Sequence, residues 1–410
     1  MVQKMRKMKD SGIEWIGEIP EGWEVVKAKY LFAQRNEKGN SALVLLSPTQ
    51  KYGVIPQSQL EGVVQVKENT DLRAFKTIHI GDFVISLRSF QGGFEFSNYE
   101  GVCSPAYQVF HATKDLSNDF FRYLFKSDGF ISKINSLTVG IREGKNIQYW
   151  DFSNMLLALP PKEVQIRSAQ YLNAKCTEID TMLFKTRSSI EKYKKLKQAV
   201  ITQAVATQQC SHIKLKYLMN VIVDCPHETP TYSFTGNYYV IRTADQALAS
   251  LRRDEDMYRL DASEYKKRTR RLTLDKDDIV YGREGERWGL ACIVPESNKY
   301  CLGQRIMQFR CNTKFLYPKY AMYALNSEPV YLQGVADTIG STSPHVNIST
   351  ICNYLLPVPA LTEQKEIADH LDAKCAEIDR LIAKKEQLVK ELESYKKSLI
   401  YEVVTGKREV

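Results

Sequence analysis

Long apolar runs and secretion signals are absent from this sequence of 410 residues. No stretch approaches the roughly 18 apolar residues of a membrane-spanning helix, and the basic N-terminus lacks the apolar core of a signal peptide. The nine cysteines are scattered, without a CxxC pair or a Cys/His set at zinc spacing, which argues against a disulfide framework or a structural metal. With 43% hydrophobic and 26% charged residues, we expect a cytoplasmic globular protein of about two to three domains.

Signatures of nucleotide-dependent enzymes are also missing. A DNA methyltransferase needs Asp, Asn or Ser followed by two prolines and an aromatic residue, together with a glycine-rich cofactor loop, and neither occurs. Pro160-Pro161 instead lies between Leu159 and Lys162, which suits the start of a helix. The run GIREGKN at residues 140–146 lacks the spacing and the final Ser or Thr of a phosphate-binding loop.

Other catalytic patterns fail in the same way. GREGERWG at residues 282–289 does not have the glycine spacing of a dinucleotide-binding site and instead predicts a β-hairpin or a mobile loop. The histidines never pair at i, i+4, and none lies near a GxSxG turn. Asp277 and Asp278 would suit a nuclease metal site, but such a pair is more often a turn before a strand. We therefore predict no catalytic residue, no metal ligand and no directly bound cofactor.

An internal repeat dominates what is present. Leu172–Leu183 reads LNAKCTEIDTML and Leu371–Ile382 reads LDAKCAEIDRLI, and the match continues without gaps from Pro160 and Pro359 almost to the C-terminus. Fainter matches precede it: VKAKYLF with IKLKYLM, GDFVI with DDIVY, and NMLLALP with NYLLPVP. The chain is therefore predicted to be two copies of one unit, with a variable block at 1–158, a helix at 159–208, a second block at 209–357 and a helix at 358–410.

The repeated helices carry apolar residues at heptad spacing, with no Gly or Pro inside, which predicts a long coiled-coil seam of roughly 60 Å at about 1.5 Å per residue. The alternative is a solvated surface helix. Polar breaks recur at the same places in both copies and indicate that the two helices are partners. The predicted pairing residues, including two cysteines read as small buried apolar groups, are Leu172, Cys176, Ile179, Leu183, Ile190, Leu371, Cys375, Ile378, Ile382, Val389 and Leu392.

The variable blocks alternate short β-rich runs with turn residues, and each then contains a helical stretch. The runs predict α/β (α+β) domains in which loops project from a small sheet. The predicted strands are Ala42–Leu46, Val63–Val66, Asp82–Leu87 and Ile279–Gly282, and the predicted helices are Asp119–Ile134 and Pro318–Leu332.

Basic and amide side chains suggest a polyanionic partner, as does the net charge of +9. KKRTRR either neutralises phosphates or forms a solvated charged face among nearby acidic residues, and the sequence does not decide between these. Loops that combine Arg, Gln, Asn and Ser with glycine suit base reading, because bidentate Arg–guanine and Gln/Asn–adenine pairs need such side chains. The candidates for DNA contact are Arg88, Ser89, Gln91, Arg142, Lys145, Asn146, Lys266, Lys267, Arg268, Arg270, Arg271, Arg283, Glu284, Arg287, Gln304, Arg305, Ser341, Ser343 and His345.

Taken together, these motifs resemble the DNA specificity subunits of type I restriction-modification systems. The resemblance rests on DSGIEWIGEIPEGWEVVKAKYLF at Asp10–Phe32, the paired motifs at Val26–Phe32 and Ile213–Met219, the repeated helix signature, and LIYEVVTGKREV at Leu399–Val410. It covers nearly the whole chain. The first helix departs from it by ending in VITQAVATQQC, which leaves the linker into the second block unfixed.

The resemblance implies a non-catalytic subunit with two target recognition domains joined by two long antiparallel coiled-coil helices, related by a pseudo-twofold repeat. Each domain would read half of an asymmetric bipartite site in double-stranded DNA, and the helices would set the spacer and dock two modification (methyltransferase) subunits. S-adenosylmethionine, ATP and magnesium would bind to partner subunits, which can include restriction subunits. The alternatives are a stand-alone nuclease or methyltransferase with an unrecognised site, and a coiled-coil scaffold that binds only protein.

Overall fold

The computed structural model of the chain describes residues 6–39, 43–60, 72–86, 93–137, 147–206, 210–338 and 344–410. The chain divides into two compact units. Unit 1 comprises Met1–Lys185 with Leu388–Val410, and unit 2 comprises Thr186–Gln387. Both boundaries fall inside a long helix, so each unit contains part of two long helices. No helix among the described residues is both long and apolar enough to span a membrane.

Unit 1 contains twelve described strands, three short helices and one end of each long helix. The strands are β1 (Met8–Ile13), β2 (Gly17–Pro20), β3 (Glu24–Lys27), β4 (Phe32–Arg35), β5 (Leu46–Thr49), β6 (Gly53–Pro56), β7 (Lys76–Ile78), β8 (Phe83–Ile85), β9 (Phe94–Phe96), β10 (Gly101–Cys103), β11 (Gln108–Ala112) and β12 (Leu156–Leu159). The helices are α1 (Asn118–Leu124), α2 (Asp128–Ser136), α3 (Tyr149–Ser153) and the start of α4 (Lys162–Val205).

Unit 2 contains eleven described strands, five short helices and the other part of each long helix. Its strands are β13 (Ser211–Lys214), β14 (Met219–Asp224), β15 (Tyr238–Ile241), β16 (Gln246–Ala247), β17 (Ser250–Leu251), β18 (Arg259–Leu260), β19 (Ile279–Gly282), β20 (Ala291–Ile293), β21 (Tyr300–Leu302), β22 (Ile306–Cys311) and β23 (Leu355–Val358). Its helices are α5 (Leu215–Leu218), α6 (Ala262–Arg268), α7 (Pro318–Leu325), α8 (Glu328–Val335), α9 (Ile348–Cys352) and most of α10 (Leu361–Val404).

The two units are built on matching sheets. Each has a four-stranded antiparallel sheet, in the order β4-β11-β8-β9 in unit 1 and β14-β22-β19-β20 in unit 2. Each also has a two-stranded ladder just before a long helix, β3 with β12 and β13 with β23. The predicted fold class, with two α/β units in tandem and an internal repeat, is therefore confirmed.

The strand predictions have mixed outcomes. Ile279–Gly282 is a strand as predicted, and β8 covers Phe83–Ile85 of the predicted strand Asp82–Leu87, whose last residue lies outside the described residues. Of the predicted strand Ala42–Leu46, the first residue lies outside the described residues, Leu45 forms an isolated bridge with Val102, and the strand itself begins at Leu46 and runs to Thr49. Val63–Val66 lies outside the described residues. β19 and β20 pair antiparallel around residues 283–290, so the hairpin prediction for GREGERWG is confirmed.

Each predicted helix of the variable blocks is in fact two helices. Asp119–Ile134 breaks between α1 and α2, and Pro318–Leu332 breaks between α7 and α8. The cause is a buried serine at each break, Ser127 or Ser327, whose hydroxyl donates 2.7 Å back to the carbonyl oxygen of Leu124 or Ala324. Ser, unlike an aliphatic residue, supplies a local hydrogen bond that competes with continuation of the helix.

Both long helices span 44 residues and start just after a proline turn. A buried glutamine fixes each start. Gln165 accepts a hydrogen bond from the backbone N–H of Ser117 and donates to the carbonyl of Pro160. Gln364 accepts from Tyr317 N–H and donates to the carbonyls of Phe315 and Pro359. The repeated glutamine thus ties the turn, the helix start and the preceding domain together.

The long helices run antiparallel within each unit, and their contacts repeat. In unit 1, Lys396 Nζ lies 2.6 and 2.7 Å from the two carboxylate oxygens of Asp180. In unit 2, Lys197 Nζ lies 2.9 and 2.8 Å from those of Asp379. In the 199-residue repeat, Asp180 corresponds to Asp379 and Lys197 corresponds to Lys396, so the two ion pairs are equivalent. The polar break at Lys197 and Lys396 therefore forms an interhelical ion pair in each unit.

The cores of the two units differ in chemistry. Unit 1 packs phenylalanine rings around its sheet, for example Phe110 against Phe152 with ring centroids 4.8 Å apart. Unit 2 uses buried tyrosines whose hydroxyls find partners: Tyr320 donates 2.9 Å to the carbonyl of Pro357, and Tyr323 donates 2.8 Å to Asp372. Buried phenols need such acceptors, so the tyrosine core is more tightly specified by geometry than the phenylalanine core.

Candidate nucleic-acid interface

The most polar face of unit 2 lies where several strands end together. β14 ends at Asp224, β19 ends at Gly282 and β22 begins at Ile306, and their antiparallel registers place these three ends along one edge. β15 and β21 are parallel and finish beside it, with Gly303 N–H donating 2.7 Å to the carbonyl of Ile241. The loops that follow these strands therefore converge, and we call this surface the sheet-end face.

Four candidates predicted from sequence meet on the sheet-end face. Arg283 bonds to Glu284 and faces Asp224, while Arg305 Nε is 4.0 Å from a Glu284 carboxylate oxygen. The backbone of Glu284 forms a β-bridge with His345. The Arg283 side chain is 10% exposed and held by carboxylates, whereas that of Arg305 is 54% exposed. Arg305 is thus the guanidinium best placed to reach a partner.

Backbone geometry fixes where Arg305 points. Its φ is +68°, in the left-handed region that non-glycine residues seldom adopt. The strained residue is held on both sides, because its N–H donates to Cys225 Sγ and its carbonyl accepts 2.9 Å from Arg283 N–H. Burial raises the pKa of the Cys225 thiol, so this sulfur stays neutral. A strained, over-determined residue of this kind is typical of functional sites.

Two further candidates on this face hold loops in place. Arg287 Nη1 donates 2.9 Å to each of the carbonyls of Ala244 and Gln246, although the residue is exposed. Gln304 donates 3.0 Å to Thr229 Oγ1. Both side chains therefore brace neighbouring segments of the face.

The basic run divides into three kinds of residue. Arg268 is 6% exposed and donates to the carbonyls of Leu302, Glu228, Pro226 and Gly303, so it holds the domain together and is not part of the interface that we propose. Lys267 pairs with Glu228 at 2.7 Å, which raises the lysine's pKa and lowers that of the glutamate. Three residues are exposed and available to phosphates: Lys266, Arg270 and Arg271.

None of the six DNA-contact candidates in unit 1 can be placed. Arg88, Ser89, Gln91, Arg142, Lys145 and Asn146 lie outside the described residues, as do Ser341 and Ser343 of unit 2. The described residues beside these loops form a row of amides that the sequence did not single out. Gln34 Nε2 donates 2.6 Å to Gln108 Oε1, and Gln108 Nε2 donates 3.3 Å to Gln148 Oε1.

Sequence reasoning also missed an arginine–aromatic group on unit 2. Arg242 makes a two-pronged ion pair with Asp245, which raises the arginine's pKa, and its guanidinium lies 3.7 Å from the ring centroid of Tyr258. Tyr258 in turn contacts Tyr232 edge-on at 4.7 Å. With 23 tyrosines in the chain, nothing in the sequence separates these two exposed rings from the buried ones.

The helix-pairing candidates divide by exposure. Eight are buried: Leu172, Cys176, Ile179, Leu183, Ile190, Leu371, Cys375 and Ile378. Ile382, Val389 and Leu392 are half-buried. Burial raises the pKa of the Cys176 and Cys375 thiols, as expected for small groups in an apolar seam. Among the residues that the structure describes, no group of three or more His, Cys, Asp or Glu is arranged to hold a metal ion.

A family model matches the second variable block and part of the long helix that follows it. Residues 225–392 match the family described as "Type I restriction modification DNA specificity domain". The predicted resemblance of the chain to the specificity subunits of type I restriction-modification systems is thereby confirmed.

Two curated relatives are specificity subunits. That of type I restriction enzyme EcoBI from Escherichia coli is 29% identical over 132 residues, which cover 32% of this chain but only 27% of that protein. That of type I restriction enzyme MjaVIII from Methanocaldococcus jannaschii is 21% identical over 418 residues, which cover 95% of this chain and 93% of that protein.

Solved structures share the fold. A chain from a structure of the type I R-M system, solved to explain its complex assembly and conformational transition, aligns with a TM-score of 0.69 at 17% identity over 95% of this chain and 99% of that one. The HsdS subunit from Thermoanaerobacter tengcongensis aligns with a TM-score of 0.51 at 16% identity, over 95% of this chain and 98% of that one.

Proposed function

We propose that this chain is the non-catalytic DNA specificity subunit of a type I restriction-modification complex. Each recognition domain reads one half of an asymmetric bipartite site in double-stranded DNA. The long helices set the spacer and dock two methyltransferase subunits. S-adenosylmethionine, ATP and magnesium bind to those partners and to restriction subunits where they are present, and the complex works in the cytoplasm.

The observation that carries this proposal is the contrast between the two sheet ends. Both units have a four-stranded sheet and a two-stranded ladder, but among the described residues unit 1 presents amides at Gln34, Gln108 and Gln148, whereas unit 2 presents Arg283, Glu284 and Arg305. Amide side chains suit adenine and guanidinium groups suit guanine in the major groove. To read two different half-sites, two similar domains must present different side chains at the sheet end that faces DNA.

The spacer assignment is supported by the ion pairs between the long helices. An ion pair at a fixed position in the heptads disfavours a shifted register, because a shift would separate the two charges. Each unit has one such pair, Asp180 with Lys396 and Lys197 with Asp379. Helices locked in this way would hold the two reading domains at a constant separation along DNA.

The first test is whether the chain needs its partner. The purified chain should transfer no methyl group to DNA from S-adenosylmethionine and should not cut DNA with magnesium, whereas the reconstituted complex with its methyltransferase subunit should methylate a defined sequence. Methylation or cleavage by the chain alone would instead support a stand-alone enzyme. A complex that binds specific and scrambled duplexes equally would contradict the proposal.

Arg305 tests the interface itself. Arg305→Ala should weaken binding of the complex to its recognised duplex by about 1–3 kcal/mol and relax the sequence preference at one position. Lys276→Ala is the matched control, because Lys276 is an exposed cation just before β19, at the opposite end of the same sheet. Binding is measured by fluorescence anisotropy at fixed salt. Equal losses in both variants would mean that only general charge attraction had been removed.

A further inference from the structure

A fully exposed phenylalanine lies on unit 2, in the segment that connects β14, which ends at the sheet-end face, to the start of β15. Phe234 is 102% exposed, the most exposed of the large hydrophobic side chains in the part of the chain that the structure describes. Tyr232, two residues earlier in the chain, contacts Tyr258, and these two rings are 44% and 49% exposed. We call residues 226–237, which carry Phe234, the aromatic arm.

The aromatic arm is anchored along its length. Near its start, the buried Arg268 donates to the carbonyls of Pro226 and Glu228, and Gln304 donates to the side chain of Thr229. Thr231 N–H then lies 3.4 Å from a carboxylate oxygen of Glu264 on α6.

The tip of the arm is fixed on both sides of the exposed ring. Ser233 N–H donates 2.8 Å to the carbonyl of Arg259. Gly236 lies so close to Leu260 that an added Cβ would come within 2.0 Å of the Leu260 carbonyl oxygen. Phe234 is thus projected by a braced loop, which lowers the ordering cost of any contact that the ring makes.

The charges around the arm favour a polyanion. Exposed Lys266, Arg270 and Arg271 follow along α6 and beyond it, and Arg259 and Arg305 are exposed on neighbouring segments. The nearby carboxylate of Glu228 is paired with Lys267. Carboxylates at Asp261 and Glu264 lie on the same segments as these cations. An exposed aromatic ring on a segment flanked by exposed cations fits a nucleic acid, in which bases offer flat faces and phosphates offer charge.

We propose that Phe234 stacks on a base by partial insertion at one step of the half-site read by unit 2, with the surrounding cations holding the flanking phosphates. This inference rests on the proposed function, since it assigns a contact within that same DNA interface. Apolar side chains used in this way unstack a step and kink the duplex, which exchanges stacking energy for a larger contact surface.

The test uses the reconstituted complex with its methyltransferase subunit and a duplex carrying the methylated motif. Phe234→Ala should weaken binding by about ten- to a hundredfold, as for loss of a base–aromatic stack, and Phe234→Trp should retain most of the affinity. The matched control is Phe315→Ala, because Phe315 is 56% exposed and follows β22 at the opposite end of the sheet. This control should bind like the parent complex.

Insertion has its own signature. With 2-aminopurine placed at successive positions, the parent complex should raise the fluorescence at one step of a single half-site, and Phe234→Ala should abolish that rise. Unchanged affinity and fluorescence in Phe234→Ala would overturn the proposal. So would unchanged DNA binding with weaker association of the methyltransferase subunit by sedimentation, since the ring would then contact protein. If the parent complex fails to bind the motif, the proposed function itself has failed.

Discussion

The ion pair between Lys197 and Asp379 gives the sharpest stability prediction. The Lys197 side chain is 5% exposed. Its ammonium lies 2.9 and 2.8 Å from the two carboxylate oxygens of Asp379 and 2.8 Å from the carbonyl oxygen of Leu248. Asp379→Asn keeps the shape but removes the counter-charge. Hydrogen bonds to charged groups contribute about 1.5–3 kcal/mol. Because the Asp379 side chain is 45% exposed, solvent screens the pair, and we expect a loss of about 1.5–2 kcal/mol.

The repeat supplies a matched control. Asp180→Asn removes the equivalent charge from a pair whose side chains are 57% and 27% exposed, so it should cost about 0–1 kcal/mol. Urea unfolding followed by circular dichroism at 222 nm measures both variants against the parent chain. Equal losses in the two variants, or a loss below about 0.5 kcal/mol for Asp379→Asn, would refute the claim that burial of Lys197 makes this pair the stronger lock.

Three further predictions concern the domains. Gln364→Leu leaves the backbone N–H of Tyr317 and the carbonyls of Phe315 and Pro359 without their hydrogen-bond partner, so urea unfolding should show a loss of about 2–4 kcal/mol in the free energy of unfolding. A loss under about 1 kcal/mol would contradict the role of Gln364 at the helix start. Burial raises the pKa of the Glu95 carboxyl despite Lys126, so its contribution to stability is full below its pKa in the unfolded chain and is lost as pH rises through its raised pKa in the folded chain. Glu95→Gln should therefore flatten the fall in the free energy of unfolding from about pH 4.5 upward. Parallel plots of that free energy against pH for the variant and the parent chain would refute this. Burial raises the pKa of Cys103 to about 12, so iodoacetamide at pH 8 should alkylate the half-exposed Cys210 before Cys103. Mass spectrometry of the alkylated chain measures the order, and earlier alkylation of Cys103 would contradict its burial.

The repeat and the seam could be predicted from sequence because both leave periodic signals. The shared LxAKCxEID segment and the polar breaks at Lys197 and Lys396 are visible as letters at fixed spacing. The identity of their partners is not, since Asp180 and Asp379 look like ordinary surface carboxylates until two antiparallel helices bring them opposite the lysines.

The sheet-end face was only partly predictable. Arg283, Glu284, Arg305 and His345 were nominated by residue type, but their meeting depends on strand register over more than 60 residues of chain. Residue type failed for Arg268, which looks like its basic neighbours and is nevertheless buried against four carbonyls. Phe234 carries no signal at all, because an exposed and a buried phenylalanine are the same letter, and only the anchored arm makes its exposure informative.

Modified-base sequencing of DNA from cells that carry this chain with its methyltransferase partner tests the central claim most directly. The account predicts one methylated motif with two specific halves and an unread spacer of constant length. Replacing residues 1–158 with the corresponding block of a different specificity subunit should change one half and leave the other half and the spacer unaltered. A contiguous motif, no methylated motif, or a change in both halves would contradict it.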